Sequence, residues 1–232
     1  MEFILSHPLT SLLITLCAFS GFNFLQKKAG GNSLLNPVVW AIIVCVTFIS
    51  LSGIGYETYM RGAAPIHFLL GPVTVALAVP LYRLLSTIQK DALALLSAIF
   101  ICCLLAAFSA MGLAALMDAN TDMQLAIISK SVTAPIAIEI ANKINTPESL
   151  AIFFVFTTGI PGSLLATAIF RAARIKDERA QGLALGTTCH GLGTARAFQI
   201  SKEAGTYAVI GMSVMGILSG LILPTLILLF FK

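Results

Sequence analysis

Apolar runs long enough to cross a lipid bilayer recur along this chain, at Leu9 to Leu25, Leu34 to Ser52, Ala92 to Met117, Ser149 to Phe170 and Tyr207 to Phe231. A helix needs about 20 such residues to span a hydrocarbon core of about 30 Å. Only 10% of the 232 residues are charged and 58% are hydrophobic, whereas a soluble domain carries roughly 25% charged residues. The sequence therefore reads as one all-α, polytopic membrane domain over residues 1–232, and no stretch is polar enough to form a separate soluble domain. The N-terminal segment Met1 to Pro8 has no basic region and no small-residue cleavage site follows the first run, so that run is expected to be retained as a helix.

Three further segments are membrane-like but interrupted. Pro65 to Tyr82 contains Gly71, Pro72 and Pro80; Met123 to Ala141 contains Lys130 and Pro135; Gln181 to Phe198 contains Gly182, Gly186, Gly191 and Gly193. Non-helical backbone at membrane depth leaves polar groups unpaired at several kcal/mol each, so it survives only where protein or a water-filled cavity satisfies it. Kinked or tightly packed helices are the plainer alternative. Loop charge separates the two readings, because Lys and Arg in short loops favour the cytoplasm. Lys27 and Lys28, Arg83 and Lys90, and the run Arg171, Arg174, Lys176 and Arg179 fall on one side if the segments around Lys130 and His190 each enter and leave on one face. About six full spans, two broken or re-entrant helices and an N-terminus outside follow from that model. An ungapped shift of 59 residues also sets Val73-Thr74 on Val132-Thr133 and Leu77-Ala78-Val79 on Ile136-Ala137-Ile138, the kind of internal repeat that carrier folds show.

The formal net charge of +4 is explained by these loops rather than by nucleic acid, which is not an expected partner. The five cysteines, Cys17, Cys45, Cys102, Cys103 and Cys189, all lie in apolar segments without paired ligand spacing. Neither a metal site, a disulfide nor a cofactor is expected.

Two constellations carry chemistry. Lys130-Ser131-Val132-Thr133-Ala134-Pro135 sets an ammonium and two hydroxyls beside a helix breaker. A buried lysine costs at least about 2.5 kcal/mol on insertion scales and so faces a cavity, a partner or a substrate. One reading is an anion pocket built from Lys130, Ser131, Thr133 and the backbone at Pro135; the other is a snorkelling lysine with back-bonded hydroxyls. His190-Gly191-Leu192-Gly193-Thr194-Ala195-Arg196 is the second. Its glycines expose main-chain amides, Arg196 offers a carboxylate-gripping fork or a topology anchor, and His190 is either a proton site or a packed histidine. Glu139 is a further proton-coupling candidate and pairs with Lys130 only if the chain folds back. Asn36-Pro37 reads as close packing within the second span.

These motifs, with Leu35-Asn36-Pro37 near the start and Gly193-Thr194-Ala195-Arg196-Ala197 near the end, resemble the signature of the LrgB/CidB family of bacterial inner-membrane proteins over nearly the whole chain. Ala134 departs from it, standing where the family often has a second threonine. The resemblance implies one of two roles. One is a carrier for small monocarboxylates of the pyruvate, glycolate, glycerate and lactate class, suggested by similarity to the plastid glycolate/glycerate translocator. The other is a holin-like or antiholin-like regulator of murein hydrolase export and autolysis. It further implies an LrgA/CidA-like small membrane partner and a homodimer. In the carrier reading Lys130 and Arg196 supply charge, Ser131, Thr133 and Thr194 orient the anion, and His190 carries a proton. In the lytic reading the Gly216 and Gly220 face matters more, as an oligomer contact. An enzyme is not expected: Lys130-Ser131 resembles a Ser-Lys nucleophile pair, but adjacent residues on a helix point apart.

Overall fold

The computed structural model describes residues 7–31, 35–76 and 78–230. Met1 to Ser6, Leu34, Leu77 and Phe231, which enter the expectations above, lie outside the described residues, as do the side chains of Val73 and Thr74. Every regular element among the described residues is helical. The chain forms two compact units, residues 1–73 and 74–232.

In the first unit, α1 (Pro8–Lys28) starts on His7, whose ring accepts the Leu9 amide at 3.3 Å, with Pro8 at the first helical position where its missing N–H costs nothing. Lys27 and Lys28 close it, where the helix dipole favours cations. Then α2 (Pro37–Ser52) begins on the Asn36 side chain, which accepts from Val38 and Val39 at 2.9 and 3.4 Å, and stops at Gly53 with φ 69°. Asn36-Pro37 is thus a helix start rather than packing inside a span. The shorter α3 (Tyr56–Phe68) lies against α1: Gly62 sits on the Pro8 and Ser11 backbone turn, and Tyr59 and Thr15 share a 2.6 Å hydroxyl contact.

An interruption does fall within Pro65 to Tyr82: α3 ends at Phe68 and α4 (Leu70–Ala76) begins after a turn residue, Leu69, while α5 (Ala78–Arg83) follows on the far side of Leu77. The second unit continues with α6 (Leu85–Lys90), α7 (Ala92–Leu116), α8 (Thr121–Ala126), a 3-10 turn at Ile127–Ser129, α9 (Ala134–Ile144), α10 (Glu148–Ala172), α11 (Glu178–Ile200) and α12 (Lys202–Phe230). On α7 a stripe four residues apart, Leu95, Ile99, Cys103, Ala107 and Met111, is buried, while Leu93, Leu105, Leu113 and Leu116 are exposed. A helix apolar on all sides with one buried stripe is suited to packing on protein with one face and lipid with the other. The core collects on that stripe, with Ile128, Val132, Ile140, Val155, Ile210 and Leu223 around it.

Four described helices, α1, α7, α10 and α12, are long and apolar enough to cross a membrane, and α2 is a shorter apolar helix. The protein is a multi-pass, all-helical membrane protein.

Candidate functional site

The first break begins where the 3-10 turn ends. Pro135 stands in the first turn of α9, where its missing N–H costs nothing, and the extended Thr133, φ −70° and ψ 152°, separates α9 from the 3-10 turn. Lys130 closes the 3-10 turn with φ −56° and ψ −24°, Ser131 lies beyond it, and Lys130 Nζ donates to Ser131 Oγ at 3.0 Å. The expectation that these neighbours point apart is therefore corrected: it assumed a helix through 130–131. Ser131 and Val132 are both 2% exposed, and Lys130 is half-buried. Thr133 occupies the N-cap position of α9 but caps nothing, and its buried Oγ1 has no hydrogen-bond partner. An N-cap hydroxyl ordinarily accepts an amide from the first turn. Here a hydroxyl, an ammonium and the positive end of α9 follow one another within a few residues, and among the described residues no carboxylate pairs with Lys130, the electrostatic setting that favours a negative group. Pro135 is half-buried in the first turn of α9, and Glu139 stands exposed between buried Ile138 and Ile140.

The second break is a reversal. His190 has φ 43° and ψ −126°, a conformation that side-chain-bearing residues rarely adopt. Gly193 lies against Leu185 and the Cys189 side chain, eight and four residues back. A straight helix would set Leu185 about 12 Å away along the axis. The ends meet as well: Ser201 Oγ donates to Glu178 Oε2 at 2.6 Å. So α11 is a helical hairpin with His190 at its tip.

That tip rests on α10. His190 Nε2 lies 3.1 Å from the Val155 carbonyl, which can only accept, so Nε2 carries the hydrogen and Nδ1 is the open nitrogen. The imidazole covers Gly159, and Cys189 Sγ covers Gly162; neither position has room for a Cβ. Sequence reasoning singled out His190 but not Val155, Gly159 or Gly162. The cue was Gly159-Ile160-Pro161-Gly162, small residues and a proline inside an otherwise ordinary span.

The two breaks meet on α10: Val132 of the first lies in the same buried cluster as Val155, whose carbonyl holds His190 at the tip of the second. The remaining polar residues have definite partners. Thr194 Oγ1 donates to the His190 carbonyl at 2.8 Å, and Thr187 and Thr188 bond back to their own helix arm. Arg196 lies six residues past the tip, about 9 Å along the return arm. Its Nη2 donates to Thr167 Oγ1 of α10 and its Nη1 to Gln199 Oε1, both at 2.8 Å, while its buried Nε has no partner. The fork thus ties the return arm to α10.

The small-residue faces are used within the chain. Gly182 and Gly186 of the outgoing arm lie on the backbone of Ala204 and Ala208 of α12, and Gly216 packs on Ile136 of α9. Gly216 is therefore buried inside the protomer rather than lying on an outer oligomer face.

Known proteins resemble this chain over nearly its full length. The holin-like protein CidB of Staphylococcus epidermidis is 29% identical over 220 residues, covering 95% of this chain and 96% of that protein. CidB of Staphylococcus aureus is 30% identical over 225 residues, 97% and 98% of the two chains. The Bacillus subtilis protein YxaC is 31% identical over 219 residues, 94% and 95%. No solved structure matches. The LrgB-like family model covers residues 15–229, and the chain belongs to that family.

Proposed function

We propose that this LrgB-like protein is a membrane permeation protein that takes a small organic anion into the polar site between its two breaks. The observation that carries the reading is the first break, where the Lys130 ammonium is held beside Ser131, next to the unpartnered Thr133 hydroxyl at the start of α9. The substrate class proposed is a small monocarboxylate such as pyruvate, glycolate, glycerate or lactate, whose size suits a site made of one ammonium, hydroxyls and helix-end amides. His190 is the proposed proton site, through its open Nδ1. Arg196 supplies positive potential from the return arm rather than a free fork. In the bilayer the α11 hairpin and the element around Lys130 are proposed to enter and leave on one side, with six full spans and the N-terminus outside.

The relatives favour a second reading. The Staphylococcus proteins are named holin-like, and at the level of cellular role this supports a regulator of murein hydrolase export and autolysis better than it supports a carrier. An LrgA/CidA-like partner and a homodimer belong to both proposals.

The test is uptake of labelled pyruvate and glycolate into proteoliposomes holding this protein alone, with and without a pH gradient, beside Lys130→Ala and Arg196→Ala. Saturable uptake lost in the Lys130 variant, which still inserts in the membrane, is the expected result. Escape of any small solute at equal rates, unchanged by Lys130→Ala, would overturn the carrier and favour the holin-like role.

A further inference from the structure

We propose that the first unit carries a groove for an anionic phospholipid, with an acyl chain along α2 and the headgroup phosphate at Lys27 and Lys28. This inference is independent of the polar site in the second unit. The groove has a volume of about 560 Å³ and is lined by Phe22 of α1 and by Trp40, Ile43, Thr47, Phe48 and Leu51 of α2. From Trp40 to Ser52 it follows twelve residues, about 18 Å of helix, close to the roughly 15 Å depth of one leaflet of a 30 Å hydrocarbon core. It therefore has the length of one lipid tail.

Its ends differ chemically. At one end the Phe22 and Trp40 rings stack, centroids 5.3 Å apart and 14° from parallel. Aromatic residues of this kind collect at the headgroup level of a membrane. Lys27 and Lys28, both exposed, close α1 five and six residues beyond Phe22. No acidic residue occurs in the sequence between Glu2 and Glu57, so neither α1 nor α2 supplies a counter-charge of its own. A basic pair, an aromatic shelf and a leaflet-deep apolar channel, in that order, match headgroup phosphate, glycerol region and tail. A second protein helix in the channel would explain the apolar walls but not the basic end.

Trp40 is the sole tryptophan of the chain, so its fluorescence reports the groove directly. The full-length protein is reconstituted in vesicles of phosphatidylcholine doped with dibrominated phosphatidylglycerol or dibrominated phosphatidylcholine at equal mole fraction. The anionic quencher is expected to act at the lower mole fraction, by about fivefold for each lysine engaged, and Lys27→Gln with Lys28→Gln to remove that preference. Thr47→Phe, which fills the channel and leaves both lysines, is expected to reduce quenching by both lipids. Equal quenching by the two lipids in the unmodified protein overturns the proposal. So does a Trp40 that neither lipid quenches, which would mean that protein covers the groove.

Discussion

Ser201 Oγ donates to the Glu178 carboxylate at 2.6 Å although 23 residues separate them. A continuous helix between them would hold them about 34 Å apart. The contact therefore defines the topology of this region: α11 returns to its starting level, and the tip that it carries rests on α10 at Val155 and Gly159. Nearby, Arg179 Nε and Glu203 Oε1 pair at 3.1 Å, and the Tyr207 hydroxyl donates to Asp91 at 3.4 Å, so the base of the hairpin is stitched to α12 and, through it, to the start of α7.

The first prediction follows from that closure. With the five native cysteines replaced by alanine, Glu178→Cys with Ser201→Cys is expected to be joined by a short bifunctional thiol reagent in native membranes, and Glu178→Cys with Gly191→Cys is not. Failure of the first pair to link would mean that the segment runs straight, which would hold the two positions about 34 Å apart. Removing the exposed Arg179–Glu203 pair by Arg179→Ala is expected to leave the unfolding temperature nearly unchanged, because solvent screens such pairs.

His190 supplies a second, sharper test, because two substitutions at one position should differ in sign. Its backbone conformation costs any side-chain-bearing residue about 1–3 kcal/mol, offset in part by the hydrogen bond to the Val155 carbonyl, worth about 0.5–1.5 kcal/mol. His190→Ala keeps the strain and loses the bond, whereas His190→Gly loses both. Thermal unfolding in detergent should therefore rank the glycine variant above the alanine variant by about 1 kcal/mol or more. The reverse order would show that the tip is not strained.

The position of that turn also shows how far the residues alone carry the reading. Glycines at 186, 191 and 193 mark α11 as a broken helix, and a loop-charge argument asks for a chain that returns on itself. Yet the reversal falls on His190 itself, because the Val155 carbonyl and the space over Gly159 select it, and those contacts come from another helix. Pro135 locates the Lys130 break for a local reason, its fitness for the first turn of a helix, which sets the start of α9. The Lys130–Ser131 contact escapes a sequence reading for a local reason too: the helical turn ends at Lys130, so Ser131 does not take the direction that a continuing helix would give it. Arg196 reads from the sequence as an anion-gripping fork, and only the tertiary structure supplies Thr167, twenty-nine residues away, as its acceptor. Asn36-Pro37 carries a helix-start signature that an apolar-run reading absorbed into the span.

Thr167 gives the third prediction. Its hydroxyl accepts one of the two hydrogen bonds that fix the Arg196 fork, and a hydrogen bond to a charged group is worth about 1.5–3 kcal/mol. Thr167→Val, of nearly the same shape, is expected to lower stability by that order, and Thr167→Ser to lower it far less. Arg196→Lys keeps the charge but cannot reach both acceptors with one ammonium, so it should behave like Thr167→Val in unfolding. If both variants unfold like the parent protein, Arg196 is not a clamp and its guanidinium is available to a ligand.

The last prediction separates glycines that the fold needs from those it tolerates. At Gly186 an added Cβ would lie 2.8 Å from the Ala208 carbonyl carbon, and at Gly182 2.7 Å from that of Ala204. Backbone cannot swing aside as a side-chain end can, so the hairpin arm would have to lift off α12, and overpacking of this kind costs about 1–3 kcal/mol per site. At Gly216 the nearest atom is the Ile136 methyl at 2.6 Å, which a rotamer change can move, and at Gly220 the nearest is 3.8 Å away, ordinary contact. Gly191 meets nothing within 4 Å and has a negative φ, so alanine there can stabilise by restricting the unfolded chain. The expected order of unfolding temperatures for single alanine variants is therefore Gly191 and Gly220 near the parent, Gly216 slightly below, and Gly182 and Gly186 well below. If Gly220→Ala and Gly216→Ala instead left the monomer stable but dissolved a higher oligomer on a sizing column, that face would be an assembly contact, as the lytic reading requires.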